Sequence, residues 1–413
     1  MPPPKSLDSS RPYDLRVSEV KVHPDWTKPS DGRHHIFLFD GTWNDSTGLN
    51  PANFTWDNTR HRWVSRADPS QAFAPIVTNV VKTHHCLAPD SARQITHYFR
   101  GVGNDDENDT PNRLVEGAFS REEWGIRQLA YLEFLRHYRD GDLISILGFS
   151  RGAASARLFA RDLAKWGLMD KLMLESRYAT VRNTGDLRQE IWQTWPRKGK
   201  NLVRGSDVPI AFLGVWDTVA TFVSADDADW NVPANVSRTV HCVALDETRD
   251  LYRPTVLAYE AKRAAAMKEV WFAGVHSDIG GGYFTDGLGR LTLDFMWDNW
   301  NSALERDGLQ PLGWRSALVT AATDLTGITF ARHSQVKPER KFLVSPRECR
   351  SSAGGRPRLH RSVDRFMQEG GLMFCQEKDG TFPPRCEMTH EPYQPLAHPG
   401  TDAVELYDST AWA

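Results

Sequence analysis

Several features that would narrow the function of this chain are scarce or missing from it. Charge of one sign is the first: 50 Lys and Arg stand against 53 Asp and Glu, a formal net charge of -3. Such a chain sets up no basic field for a phosphate backbone, which argues against a nucleic-acid partner. No run of about 18 apolar residues occurs, so no membrane-spanning helix is expected. The opening "MPPPKSLDSSRPYDLR" carries no apolar segment behind its lysine and does not read as a signal peptide. Five cysteines (Cys86, Cys242, Cys349, Cys375 and Cys386) are scattered, with no CxxC pair. Neither a zinc site nor a disulfide framework is expected, and a reduced, cytoplasmic origin follows. Internal repeats and low-complexity tracts are absent too.

What remains is ordinary globular composition, 40% hydrophobic and 25% charged over 413 residues, enough for one large α/β domain with insertions. Short apolar runs recur, each closing on a polar residue. "HIFLFDGT" closes on Asp40, "DLISILGFS" on Ser150, "VPIAFLGVWDTV" on Asp217, "TVHCVALDE" on Asp246 and "EVWFAGVHSDIGGGY" on His276. Runs without polar alternation suit strands buried on both faces of a parallel sheet. Helical segments lie between them: "EEWGIRQLAYLEFLRHYRDGD", "GAASARLFARDLAKWG" and "TVLAYEAKRAAAMK". The alternation predicts an α/β-hydrolase-like fold, a mostly parallel sheet with helices on both faces and inserted cap or lid segments. Three regions are expected: a flexible leader over 1–33, a catalytic core over 34–300, and a C-terminal extension over 301–413 packed on the core as a lid or membrane-docking region.

Ligands of such sheets bind beyond the carboxyl ends of the strands. The G-x-S-x-G stretch Gly148-Phe149-Ser150-Arg151-Gly152, set between a strand and a helix, is the pattern of a nucleophile elbow. Gly148 and Gly152 are needed where the backbone turns sharply against its neighbours. A serine hydroxyl needs a base, and the base an orienting acid. His276 is the expected base, since it closes a late strand before a glycine cluster. Asp217 and Asp246 both close strands ahead of it; one is expected to accept the histidine's ring N–H and the other to form a structural salt bridge, for example with Arg249. Asp278 reads as a loop or N-cap residue. Oxyanion donors are expected from the Arg151 amide at the helix start and from Gly41 or Thr42 in "FDGTWN", with Asp40 bracing that loop.

Together "FLFDGTWND", "ILGFSRGAASAR", "FLGVWDTVAT" and "VWFAGVHSDIGGGY" resemble the uncharacterised α/β-hydrolase domain family of bacteria and fungi that includes the first class of type VI secretion lipase effectors, the Tle phospholipases. "YFRGVG" and "ALDETRD" fit it as well. The resemblance implies a Ser-Asp-His triad mapping onto Ser150, Asp217 and His276, and so favours Asp217 over Asp246. It implies hydrolysis of glycerophospholipid acyl esters at a membrane surface, with no metal or organic cofactor. It further implies an immunity protein and a secretion-apparatus delivery protein as partners, and delivery from the producing cell's cytoplasm to a rival's periplasm.

Other readings keep the fold and change the function: a carboxylesterase or thioesterase for a small soluble substrate, or a non-catalytic binding module. The acidic stretch holding Asp105, Asp106, Glu107 and Asp109 offers hard oxygen ligands for a divalent cation, without the spacing of an EF-hand loop.

Overall fold

The apolar runs lie side by side in one parallel sheet of eight strands. The eight strands are β1 (His34–Phe39), β2 (Gln94–Phe99), β3 (Leu143–Phe149), β4 (Ile210–Trp216), β5 (Val236–Ala244), β6 (Met267–Phe272), β7 (Arg358–His360) and β8 (Glu405–Tyr407), and the five apolar runs are β1 and β3 to β6. The structure, a computed structural model, describes residues 13–22, 24–28, 32–41, 54–57, 62–65, 77–88, 93–101, 116–183, 186–194, 199–221, 229–283, 285–334, 344–351, 356–378, 385–397 and 404–412.

The strand order is β8-β7-β6-β5-β4-β3-β1-β2, and every neighbouring pair is parallel. The chain steps outward from β1 to β2, then returns to place β3 on the other side of β1. Such a reversal opens a crevice beyond the carboxyl ends of the two strands between which it happens. Asp40 and Ser150, which follow β1 and β3, stand at that crevice.

Alternate side chains of β1 feed two separate cores, and a third gathers Val243, Trp271 and Leu359 of β5, β6 and β7. Phe37 and Phe39 point into one, with Tyr131, Phe134 and Leu135 of α2 (Glu116–His137) and Phe159 and Leu163 of α3 (Arg151–Trp166). Ile36 and Leu38 point into the other, with Val80 and Val81 of α1 (Asn79–Cys86) and Met296 and Trp300 of α5 (Gly287–Arg306). The sheet is therefore covered on both faces, which is why its strands read as unbroken apolar runs. Among the tryptophans, Trp216, Trp271, Trp297, Trp300 and Trp412 are buried.

The structure adds four details to the reading of the sequence. The leader is not wholly loose: Tyr13–Lys21 is a strand, paired antiparallel with Lys171–Asn183 from Tyr13↔Ala179 to Lys21↔Lys171. Beyond residue 300, β7 and β8 complete the sheet, and α6 (Arg361–Glu369) packs against them. "TVLAYEAKRAAAMK" does not form a helix; within it only Ala261–Ala266 coils, as a 3₁₀ run, before β6 begins at Met267. Cys375 is disulfide-bonded, whereas Cys86, Cys242 and Cys349 are free thiols. The strand Leu372–Lys378 pairs antiparallel with Arg385–His390, a proximity that cysteine spacing along the sequence does not reveal.

Candidate active site

Ser150 occupies a backbone conformation that few side chains adopt. Its φ is 61° and ψ -126°, and the only other non-glycine residue at positive φ among the described residues is Asp217, at 40°. Strain of this kind persists only where surrounding bonds impose it. The Ser150 amide donates to Trp216 O at 3.0 Å, and its carbonyl accepts from Ala153 N and Val219 N at 3.1 and 3.2 Å. The Asp217 amide donates to Cys242 O at 2.7 Å. Both turns are thus stitched to the ends of neighbouring strands.

The two glycines make the serine turn possible. A Cβ on Gly152 would lie 2.2 Å from Asp40 O, and one on Gly148 would lie 2.5 Å from Gly152 O. Those contacts are with backbone, so any side chain would force β1, β3 and α3 apart.

His276 opens α4 (His276–Gly280), a single turn held by the Asp278 carboxylate, which accepts from the Val275 amide at 2.9 Å. The His276 amide donates to Glu247 Oε2 at 3.2 Å. The ring sits between Phe149, with centroids 4.7 Å apart, and the edge of Tyr252, at 4.9 Å. So positioned, its Nδ1 is 2.6 Å from Asp217 Oδ2 and its Nε2 is 2.7 Å from Ser150 Oγ. A carboxylate can only accept, so Nδ1 carries the proton and Nε2 presents a lone pair to the serine hydroxyl. The structure thus brings Ser150, His276 and Asp217 into one chain of hydrogen bonds, with 3%, 4% and 0% of their surfaces exposed.

Burial opposes charge on Asp217, yet the Arg347 guanidinium and the His276 ring N–H outweigh it and hold the carboxyl well below its ordinary range. Burial likewise lowers the affinity of His276 for a proton, against the pull of Asp217, and leaves the imidazole a neutral base.

Asp246, the other candidate acid, turns away from the histidine. Its Oδ2 accepts from the Gly274 amide at 2.7 Å and the Tyr393 hydroxyl at 2.9 Å, and its Oδ1 from the Leu396 amide at 3.0 Å. Its charged neighbour is Arg332, 3.7 Å away, rather than Arg249, which pairs with Glu247 at 2.7 Å. Asp278 meets a second histidine, His333, whose Nδ1 lies 2.6 Å from Oδ1.

Asp40 accepts from Thr78 Oγ1 at 2.8 Å and from the Tyr98 hydroxyl at 2.6 Å. Gly41 differs from expectation: its amide donates to Asp40 Oδ1 at 2.7 Å rather than standing open to the serine. Thr42 lies outside the described residues, as do Asp105, Asp106, Glu107 and Asp109. Among the described residues no cluster of His, Cys, Asp and Glu is arranged to hold a metal ion. No helix there is long and apolar enough to cross a membrane.

Sequence reasoning missed Arg347, Glu247 and Tyr252. Glu247 had a signal, since it lies in "ALDETRD" one place after a strand-closing aspartate. Arg347, in "VSPRECR", had none.

A 208-residue stretch is 28% identical to the uncharacterized protein YEL023C of Saccharomyces cerevisiae, covering 43% of this chain and 29% of that protein. The chain thus spans less than a third of that relative's length. A crystal structure of an uncharacterized protein from Pseudomonas aeruginosa aligns with a TM-score of 0.42 at 20% identity, over 71% of this chain and 49% of that one. The Tle1 effector bound to the VgrG spike of the type VI secretion system aligns with a TM-score of 0.33 at 17% identity, over 63% of this chain and 54% of that one. Residues 33–299, well over half of the chain, match the family of Tle1-like phospholipase effectors of type VI secretion along its catalytic domain, and to that family the chain belongs.

Proposed function

We propose that the chain is a serine hydrolase that cleaves acyl esters of glycerophospholipids, a phospholipase A, with Ser150 as nucleophile, His276 as general base and Asp217 as the acid that orients it. One observation carries the reading: in a chain of this phospholipase family, a strained serine at a strand–helix turn is hydrogen-bonded through His276 to a buried aspartate.

Ser150 Oγ attacks the ester carbonyl while His276 Nε2 takes its proton, and Asp217 steadies the resulting imidazolium. The amide of Arg151, first residue of the 16-residue helix α3, lies at the positive end of the helix dipole and donates to the developing oxyanion. The imidazolium returns its proton to the leaving glyceryl oxygen, and a lysophospholipid departs. Water, deprotonated by His276, then cleaves the acyl-enzyme and releases a fatty acid. As part of the same proposal, the chain is delivered by a type VI apparatus to the periplasm of a rival cell, where an immunity protein would oppose it.

The test is fatty acid released from mixed-phospholipid vesicles by wild type, Ser150→Ala, Asp217→Asn and Asp246→Asn. Ser150→Ala and Asp217→Asn are expected to lose on the order of 10⁴-fold in rate. Asp246→Asn should lose thermal stability and keep its chemistry. Wild type that leaves vesicles intact but cleaves a short soluble ester through Ser150 would overturn the phospholipid substrate. Full activity in Asp217→Asn would overturn the acid assignment.

A further inference from the structure

Asp217 is held by more than its histidine. Arg347 Nη1 donates to Asp217 Oδ1 at 2.7 Å and Nη2 donates to Oδ2 at 2.9 Å, a parallel fork that shares Oδ2 with His276 Nδ1. Nη1 also donates to Ala244 O at 2.9 Å, and Nη2 to Tyr252 O. The Ala244 amide adds a second bond to Oδ1, at 3.0 Å. Arg347 belongs to the segment 344–351, beyond the span that matches the family. That segment is zipped onto the loop after β5: Ser345 N donates to Thr248 O at 2.8 Å and Ser345 Oγ to Asp250 Oδ1 at 2.9 Å. The guanidinium is therefore fixed from behind, and it fixes the plane of the carboxylate in turn.

We infer that Arg347 is a positioning residue of the hydrolase: its fork aims Asp217 at His276 and neutralises the carboxylate, so that the imidazole rests unprotonated and ready to act as base. The inference rests on the triad reading proposed above. A buried carboxylate whose only partner is an imidazole favours the protonated ring, against the effect of burial, and so raises the pH below which the base is charged. With Arg347 in place the negative charge is already matched. The ring then gains its proton only when Ser150 gives one up.

Two other charges act on His276 directly: Arg249 disfavours a proton on the ring and Glu247 favours one, whereas Arg347 acts through Asp217. Glu247 accepts from the His276 amide and is itself paired with Arg249, which stacks over Tyr252 at 3.6 Å. Arg151 bears electrostatically on Arg249 and Tyr252. Asp278 pairs with His333.

The readout is the rate at which a fluorophosphonate probe inactivates the full chain across pH 5 to 9, which needs no knowledge of the lipid. Wild type, Arg347→Met, Arg347→Lys and His276→Ala would be compared. Arg347→Met is expected to move the acidic limb of the profile to higher pH by about one unit. It should also lower the plateau by about tenfold or more, since the carboxylate loses its fixed plane. Arg347→Lys, which keeps the charge without the fork, should restore the position of the limb and only part of the plateau. It also provides the test should the methionine variant not fold, because a plateau equal to wild type in Arg347→Lys would remove the positioning role. A purely structural role would lower the rate in Arg347→Met at every pH and leave the limb where it is, and that result overturns the inference. Labelling of wild type that survives His276→Ala would instead overturn the triad reading itself, and the inference with it.

Discussion

Gly152 has no room for a methyl group. The contact lies between the first turn of α3 and the backbone of β1, 2.2 Å from Asp40 O and 2.4 Å from Phe39 O, and neither oxygen can swing aside. Gly152→Ala would have to push the nucleophile's helix away from the strand that carries the Asp40 loop. Overpacking of this kind costs about 1–3 kcal/mol where the surroundings can give, and more where they are backbone. The expected outcome is a lower urea midpoint and loss of fluorophosphonate labelling at Ser150, because the turn that strains the serine no longer closes. A variant that labels at the wild-type rate would show that the turn tolerates separation, and would sink the claim that these glycines hold the elbow. The same close approach explains why the serine was legible in the sequence: a residue forced to positive φ between two strand-helix contacts leaves glycines at fixed offsets. Asp217 left no such trace. It and Asp246 both close buried strands, and only the folded contacts, Asp217 with His276 and Asp246 with Tyr393 and Leu396, show which of them faces the histidine.

At the scale of elements, the site depends on a single helical turn, α4, which cannot hold itself together. Its support is α1. Asn79 Nδ2 donates to Ile279 O at 3.1 Å, the far end of that turn, and to Gly289 O at 2.9 Å, in α5. Lys82, one turn further along α1, pairs with Asp286 just before α5. Asn79→Ala would leave the Thr292 hydroxyl, 2.6 Å from Ile279 O and 3.0 Å from Gly289 O, to serve both carbonyls with one proton, at about 1–3 kcal/mol for the one left unsatisfied. A urea midpoint measured beside the labelling rate should show lower stability and a rate down by roughly tenfold, the imidazole being less well held against Ser150. Lower stability with an unchanged rate would mean that Glu247 and Asp278 suffice to hold His276. Elements of this size set the limit on what the sequence reveals. The five long strands were legible as apolar runs. β7 and β8 are three residues each and lie in polar stretches, where no period can develop. The 344–351 segment that carries Arg347 contains no regular element of any length, so the residue bound most closely to Asp217 lay outside any pattern.

Across the whole molecule the two ends of the sheet do opposite things with histidine. At the carboxyl end one imidazole is kept neutral beside an ionised acid to do chemistry. At the amino end His34, His35 and His97 are buried with no chemistry to perform. His35 donates from Nε2 to Asp142 Oδ2 at 2.8 Å and accepts at Nδ1 from His97 Nε2, 3.2 Å away, while His34 Nε2 contacts Ser145 Oγ at 2.7 Å. Burial lowers all three, His34 and His97 to about 3. The folded chain therefore refuses protons that the unfolded chain takes up below about pH 6.5. Stability from these groups is fully present above that value and drains away as pH falls toward about 3. Each such proton is worth about 1.4 kcal/mol per pH unit within the window. Raised carboxyls such as Asp162 and Asp294, both at about 6, act in the opposite sense. They are common to wild type and to the double variant His34→Gln, His97→Gln, and so cancel in a comparison of the two. Urea unfolding at pH 5.0 and 7.5 should show wild type losing distinctly more stability toward acid than the double variant, which should label at Ser150 normally at pH 8. Equal losses in the two chains would mean that these imidazoles are solvated enough to titrate in the folded state, and that acid sensitivity arises elsewhere. The separation has a physical basis: the crevice for substrate opens only at the end where the strand order reverses, so the opposite end can be sealed with neutral rings.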